Sequence, residues 1–588
     1  MRKMWKAGFL TGLMAIVAAC DGASEVDTDV NDAAATQGQA GSGAGNSSTE
    51  RTATKSVQAQ VTALPEIISQ DGRHMLRVDG EPFLMLAGQV NNSSNYASQL
   101  PEVWPAMDVL NANTVMMPVA WEQVEPVEGE FDFSFVDELV SQARENDKRL
   151  VLLWFATWKN TAPKYAPSWV KLDNERFPRI IHEDGELSYA LSPMHRSTLE
   201  ADKKAFIELM SHLKEIDPQH TVIMVQVQNE SGVYGTDRDY GPEAQEVFEG
   251  QVPEALTSMR GLESGTWQEV FGDDAAEMFH AWHMASFIGE IAAAGREVYD
   301  LPMYTNAALR DPFYPGPAGG YASGGPTDNV IDIYLEAAPA LEFVSPDIYM
   351  RQNEKVEAVL DLYATPDNAL FISEIGNDDD YARFFFPSMG SGAIGFAPFG
   401  MDYTGYANYP LGGRLLSPET PERIEPFARN YRLVAPMAEK WAQLAFEGPV
   451  WGVAEPDDSA DQAIDLSGPW SMDVHFDQWQ FGMREWNMRD EIAQSVDVPE
   501  GNDYPNGGVI VAPLGENEFL ITGYDARVFF GRDDDAPEVN WLIDTVEEGH
   551  YDEDGNWVME RIWNGDQTDY GLNFIDRPLL LRVRLATY

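Results

Sequence analysis

From residue 64 onward, short continuous apolar runs alternate with longer stretches in which apolar residues recur at helical spacing. The runs predict strands over Phe83–Val90, Thr114–Trp121, Arg149–Thr157, Thr221–Glu230, Leu301–Ala307, Phe343–Met350, Ala369–Ile375 and Ala393–Gly400. The amphipathic stretches predict helices over Phe133–Glu145, Thr198–Lys214, Asp274–Val298, Glu354–Tyr363 and Ile424–Phe446. Strands that are apolar along their whole length are buried on both faces, as in a parallel sheet covered by helices. Eight of them alternating with helices predict an α/β fold, a (β/α)8 TIM barrel within residues 58–447. An open doubly wound sheet is the competing arrangement, but it has fewer strands and a glycine-rich first turn that is missing here. After Phe446 the helical period stops. Val509–Ala512, Glu518–Thr522, Val539–Ile543, Trp557–Ile562 and Leu579–Leu585 read as short strands between turns, which predicts a C-terminal β-sandwich domain over 448–588.

The first residues follow neither period. Arg2, Lys3 and Lys6 precede the apolar run Ala7–Ala19, which ends Val17-Ala18-Ala19-Cys20. A basic head, a short apolar run and small residues before a cut describe a secretory signal over 1–20, too short to span a bilayer as a helix. The ending resembles the lipobox of bacterial lipoproteins. That resemblance implies acylation of Cys20 and an exported protein, lipid-anchored to a bacterial membrane at its periplasmic face or on the cell surface. Residues 21–57, rich in Ala, Gly, Ser, Thr, Asp and Asn, read as a flexible linker.

Composition narrows the chemistry. Lys and Arg total 39 and Asp and Glu 96, a net charge of −57. A surface this acidic repels phosphate backbones, which excludes nucleic acid as a partner, and salt relieves its self-repulsion. Cys20 is the single cysteine, so neither an intramolecular disulfide nor a cysteine metal cluster can form. The sequence has no His-Glu-x-x-His and no Gly-x-Ser-x-Gly, so zinc peptidase and serine hydrolase chemistry have no support. His280 and His283 lie three apart on an amphipathic helix with no third ligand nearby in sequence, and read as core or surface histidines. Asp552-Glu553-Asp554-Gly555 lacks the later glutamate of a calcium loop and reads as a hairpin turn between Tyr551 and Trp557.

In a (β/α)8 barrel the chemistry sits at the C-terminal ends of the strands. The fourth run ends Gln226-Val227-Gln228-Asn229-Glu230 and the seventh ends Ser373-Glu374-Ile375-Gly376. A carboxylate at the end of an apolar strand costs desolvation energy unless it is paired or used. Two facing carboxylates are what glycoside hydrolysis needs: one protonates the leaving oxygen and the other attacks the anomeric carbon. Mutual repulsion helps keep one of them protonated.

Further segments support this pair: Trp121-Glu122-Gln123-Val124-Glu125-Pro126, then Gly129 and Phe131-Asp132-Phe133, after the second strand. Together they resemble the retaining glycosidases built on this barrel, and within them glycoside hydrolase family 35, the β-galactosidases, in a bacterial subgroup with an extra C-terminal β domain. The resemblance spans residues 64–588. It implies Glu230 as acid/base, Glu374 as nucleophile, Asn229 as donor to the sugar 2-hydroxyl, and Tyr349 of Pro346-Asp347-Ile348-Tyr349 as hydrogen-bond partner of the nucleophile. It also implies removal of terminal β-galactosyl residues from side chains of a plant or algal oligo- or polysaccharide. No metal or organic cofactor is expected, because proton transfer and attack both come from the protein. Asn91, Trp121, Trp158 and Tyr165 are further candidates for contact with the sugar, the aromatic rings because sugars present flat C–H faces.

The chain departs from the family pattern at three strand ends. Gln-x-Glu-Asn-Glu followed by an aromatic has Gln228 and Ser231 instead; Ala-Glu-Trp becomes Ala156-Thr157-Trp158; Gly-Glu-x-His becomes Gly88-Gln89-Val90-Asn91. The catalytic pair survives, and galactose specificity is what these changes put in question. Another β-glycosidase of the same clan is therefore the competing enzyme, and a glycan-binding surface lipoprotein the competing non-enzyme. The segments Ser231–Thr266 and Asp311–Gly325 read as walls on the leaving-group side, and Lys159 and Asn160 as loop residues after the third strand.

Overall fold

Eight parallel strands close into a barrel: β1 (Met85–Gln89), β2 (Thr114–Ala120), β3 (Arg149–Lys159), β4 (Val222–Asn229), β5 (Met303–Ala308), β6 (Phe343–Ile348), β7 (Ile372–Ile375) and β8 (Gly395–Pro398). Each strand pairs with the next in the chain, and β8 returns to β1 with Gly395 opposite Met85, which excludes the doubly wound sheet. The structure, a computed structural model, describes residues 62–407, 414–466, 468–476, 505–533, 536–552, 555–574 and 577–588. The expected signal and linker, Cys20 included, lie outside the described residues.

Every residue of β2 and β4 is buried, as continuous apolar runs require. Alternation along the strands sorts the side chains into two layers. Met85, Ala87, Met116, Val151, Leu153, Phe155 and Tyr304 pack together inside the barrel. Leu86, Val115, Met117, Leu150, Leu152 and Trp154 join the core shared with the helices. A small antiparallel sheet, Glu66–Gln70 with Arg73–Val78 and Glu81–Pro82, precedes β1 and sends Leu76 and Val78 into the interior cluster.

Four expected helices are present as Ser134–Glu145, Arg196–Ile216, Ala275–Val298 and Asn353–Tyr363. The fifth is split into Glu425–Val434 and Ala438–Glu447 by a tight turn at Ala435–Met437. Pro436 is the reason, since it donates no N–H and its ring clashes with the preceding turn. A helix the pattern did not disclose, Leu100–Leu110, follows β1 and buries Val103, Trp104, Met107 and Leu110. The segment Ser231–Thr266 carries short helices, Pro242–Phe248 and Glu254–Met259, where an irregular wall was expected.

The C-terminal strands are β9 (Trp451–Ala454), β10 (Gln462–Asp465), β11 (Trp470–His475), β12 (Gly508–Gly515), β13 (Glu518–Tyr524), β14 (Ala526–Arg532), β15 (Trp541–Tyr551), β16 (Trp557–Trp563), β17 (Leu572–Phe574) and β18 (Leu580–Thr587). They form a six-stranded antiparallel sheet, β9-β12-β13-β18-β15-β16, and a four-stranded one, β10-β11-β14-β17. Val509, Val511, Phe519 and Ile521 pack with Trp470, Met472 and Val528 between the sheets. Ile510, Ala512 and Leu520, on the other face, belong to the core of the barrel helices. Strands β12 and β13 of the six-stranded sheet are thus buried on both sides, and barrel and sandwich lie in one compact unit. At the seam, helix Phe385–Gly390 rests on β9 and β12. Tyr551 and Trp557 pair across the expected hairpin turn; Asp554 itself lies outside the described residues.

Candidate active site

Glu230 follows directly on β4, and its backbone is left-handed, with φ +44°. That conformation is uncommon for a residue with a side chain, so something must hold it. Asn306 of β5 does so by accepting the Glu230 backbone N–H on Oδ1 at 2.9 Å, and the Thr161 N–H donates to the Glu230 carbonyl at 2.9 Å. The residue is 9% exposed. Burial pushes its pKa up to about 7; the Lys159 charge works against this rise and the Glu374 charge adds to it.

Glu374 sits on β7, opposite Asp347 of β6. Both of its oxygens are occupied: Oε1 accepts the Tyr349 hydroxyl at 2.6 Å, and Oε2 accepts Gln89 Nε2 at 2.7 Å. Two donated hydrogen bonds orient the carboxylate and suit it to carry charge. Glu230, Asp347 and Glu374 each place an oxygen within 4.8 Å of the other two. An upper bound of 4.8 Å on these oxygens admits the close carboxyl spacing, roughly 5–5.5 Å, that double displacement uses. Spacing alone would admit a metal ion, but donors already meet the Asp347 and Glu374 carboxyls and we assign none.

Asn229 ends β4 fully buried. Lys159 Nζ donates to its Oδ1 at 2.7 Å, which turns the amide nitrogen the other way. That nitrogen has no partner among the described residues. Lys159, expected on an exposed loop, is instead buried at the end of β3, its ammonium 5.0 Å from the centroid of the Phe155 ring.

The other expected contacts are placed differently. Trp121 and Trp158 have no exposed surface. Trp121 donates its indole N–H to Glu125 at 3.0 Å and stands edge-on to Trp169; Trp158 donates to the Leu191 carbonyl at 3.1 Å and packs on Phe287. Both rings fill the layer between strands and helices and offer no face to a sugar, because each falls on the outward side of its strand end. Asn91 spends its amide and backbone nitrogens on Asp402, at 2.8 and 2.7 Å. Tyr165 keeps an exposed part, tilted on Phe155 with its hydroxyl 3.1 Å from Ser93 Oγ.

Two of the departures from the family pattern share one explanation. Gln228 donates to Asp202 at 2.7 Å, and Asp202 also accepts the Thr157 hydroxyl at 2.5 Å and the Trp154 indole at 2.8 Å. Two positions where the family carries glutamate thus gather around a buried acid from helix Arg196–Ile216, whose pKa burial raises. The third, Gln89, holds Glu374. Sequence reasoning missed Gln89, Asn306, Asp347 and Asp202. A signal existed for Asp202, which falls on the apolar face between Leu199 and Phe206.

Beyond Glu230 the rim is aromatic. The Tyr189 hydroxyl is 2.7 Å from Thr161 Oγ1 and accepts the Tyr234 backbone N–H at 3.4 Å. The two tyrosines are 44% and 42% exposed. Val233 pairs with Ser323, which ties the loop after β4 to the one after β5.

Residues 97–292 match the family model of glycoside hydrolase family 42, described as Beta-galactosidase, and residues 427–575 match a domain of unknown function, DUF5597. Beta-galactosidase 17 of Arabidopsis thaliana is 26% identical over 202 residues, which is 30% of this chain and 26% of that protein. The β-galactosidase of the psychrophilic Marinomonas ef1 superposes with a TM-score of 0.44 at 14% identity, covering 61% of each chain. The family 42 β-galactosidase Gan42B superposes with a TM-score of 0.46 at 15% identity, covering 61% of this chain and 57% of that one. The chain thus spans about a quarter of the curated relative's length and about three-fifths of these solved ones. It carries a β-galactosidase-like glycoside hydrolase domain on a TIM barrel, followed by the DUF5597 β domain.

Proposed function

We propose that the protein is a retaining, exo-acting β-glycosidase, with terminal β-galactosides of oligo- or polysaccharide side chains as its first candidate substrate. The single observation that carries this reading is the pair Glu230 and Glu374, with oxygens within 4.8 Å at the ends of β4 and β7. Glu374, fixed by Gln89 and Tyr349, attacks the anomeric carbon while Glu230 gives its proton to the leaving oxygen. The glycosyl–Glu374 ester is then hydrolysed by a water from which Glu230, now a base, takes a proton. Asn229 Nδ2 supports the 2-hydroxyl of the bound sugar. The leaving group departs on the Glu230 side, where Tyr189 and Tyr234 present exposed rings for stacking.

Family 35, suggested by the motifs, and family 42, whose model matches residues 97–292, are both β-galactosidase families, which favours galactose. The Gln89 and Thr157 replacements make another sugar the alternative. We further propose that Cys20 is acylated and tethers the enzyme to a bacterial membrane through residues 21–57.

The test is nitrophenol release from a panel of β-linked nitrophenyl sugars by wild type, Glu230→Gln and Glu374→Gln. Turnover of the galactoside, lost in Glu374→Gln, supports the full reading. Turnover of a different sugar keeps the mechanism and removes galactose. Glycan binding without any turnover, unchanged in both variants, overturns the enzyme reading.

A further inference from the structure

The mechanism above uses two of the three carboxyls in the cluster. The third, Asp347, is 3% exposed on β6 and shares the 4.8 Å neighbourhood of both catalytic glutamates. Three anions at that spacing in a buried site would repel one another strongly. Lys159 is the ammonium group whose charge acts on both Glu230 and Asp347.

The hydrogen bonds around Asp347 suggest how this is resolved. Its Oδ2 accepts Asn306 Nδ2 at 2.6 Å, and the same Asn306 accepts the Glu230 backbone N–H on Oδ1. Asp347 therefore fixes the amide that holds Glu230 in its left-handed conformation. On the other side, Ser345 Oγ lies 2.6 Å from both the Phe371 carbonyl and Ser373 Oγ. The Ser345 proton is shared between these two acceptors, and Ser373 donates to Asp347 Oδ1 only at 3.3 Å. Asp347 thus receives one short hydrogen bond, from Asn306, where Glu374 receives two, and it is the less supported of these two carboxyls for carrying charge.

We propose that Asp347 is a positioning residue: a neutral carboxyl that adds no charge to the catalytic pair while it anchors, through Asn306, the backbone of Glu230. This inference rests on the glycosidase reading of the site. Burial, with the charges of Glu374 and Glu230, raises the pKa of Asp347 well above the usual carboxylate range, against Lys159. The titratable groups facing it are Glu230 after β4, Lys159 of β3, Glu374 of β7, Tyr304 of β5 and Tyr349 after β6, with Tyr363 of helix Asn353–Tyr363 in its field.

The test is kcat and KM against pH for wild type, Asp347→Asn and Asp347→Ala, on the nitrophenyl glycoside the wild type turns over. Asparagine reproduces a neutral carboxyl and its acceptor for Asn306, so Asp347→Asn keeps most of the wild-type kcat and the same alkaline limb. Asp347→Ala loses the anchor, and kcat falls by about 100-fold with little change in KM. An alkaline limb moved toward acid in Asp347→Asn, by about one unit, would mean that wild-type Asp347 is charged and would overturn the proposal. An alanine variant as active as wild type would overturn the anchoring role. Infrared difference spectroscopy reads the proton directly: the protonated-carboxyl stretch present in wild type is lost in Asp347→Asn, and its absence from wild type overturns the proposal whether or not the protein turns over sugar. A wild type inert on every glycoside, with that stretch present, would refute the glycosidase reading and leave the proton assignment standing.

Discussion

At the residue scale, two glutamates of the same barrel have different roles, Glu374 as nucleophile and Glu230 as proton donor. Glu374→Gln removes the nucleophile, and turnover is expected to fall at least about 1,000-fold for every leaving group. Glu230→Gln removes only the proton donor, so its loss is expected to be about 100–10,000-fold on sugar leaving groups and much smaller on activated aryl ones. Comparing nitrophenyl and oligosaccharide substrates checks this, and equal losses on both would contradict the acid assignment. Glu230 is active as an acid while protonated, so kcat/KM falls as pH rises through about 7. The same group affects stability. Its folded pKa is raised from 4.5 to about 7, so its stabilising contribution is full below pH 4.5 and lost as pH rises through about 7. Glu230→Gln is therefore expected to melt above wild type at pH 8 and to lose that advantage near pH 4, as read by thermal unfolding. Both glutamates were legible because an apolar strand that ends in a carboxylate is conspicuous. Trp121 and Trp158 misled because aromatic type at a strand end does not disclose which side of the strand the ring takes; one residue of register separates a sugar platform from the core.

At the element scale, the strands were readable because burial on both faces leaves continuous apolar runs. The helix Leu100–Leu110 was not, because Pro101 and Pro105 interrupt its pattern while its buried side chains still pack. Helix Ala275–Val298 carries His280 and His283, both held neutral by burial with pKa values near 4. Their folded values lie below the unfolded 6.5, so their contribution is full above 6.5 and lost as pH falls toward about 4. Loss of helical signal on acidification should begin in that window, and His280→Gln with His283→Gln should flatten it. The seam between barrel and sandwich rests on glycines. A Cβ at Gly390 would strike the Gly452 nitrogen, one at Gly452 the Phe386 carbonyl, and one at Gly508 the Phe386 ring. Gly452→Ala is expected to cost about 1–3 kcal/mol, measured by denaturant unfolding, because backbone and not a movable side chain is in the way.

For the whole molecule, the sandwich is part of the barrel's core: Ile510, Ala512 and Leu520 share it with Phe385, Phe386 and Tyr431. The change from helical to strand pattern after Phe446 disclosed two domains, but the sequence could not disclose that one sheet serves both cores. Removing residues 448–588 would uncover that apolar surface, and the barrel alone is expected to be insoluble. The net charge of −57 sets a second global property. Added salt screens self-repulsion and should raise the melting temperature. The central claim, double displacement through Glu374, is tested most directly by trapping. A 2-deoxy-2-fluoro β-glycoside of the sugar the enzyme prefers, with a good leaving group, should form a stable ester whose mass appears on the peptide carrying Glu374. A label on any other residue, or first-formed product of inverted anomeric configuration, would contradict it.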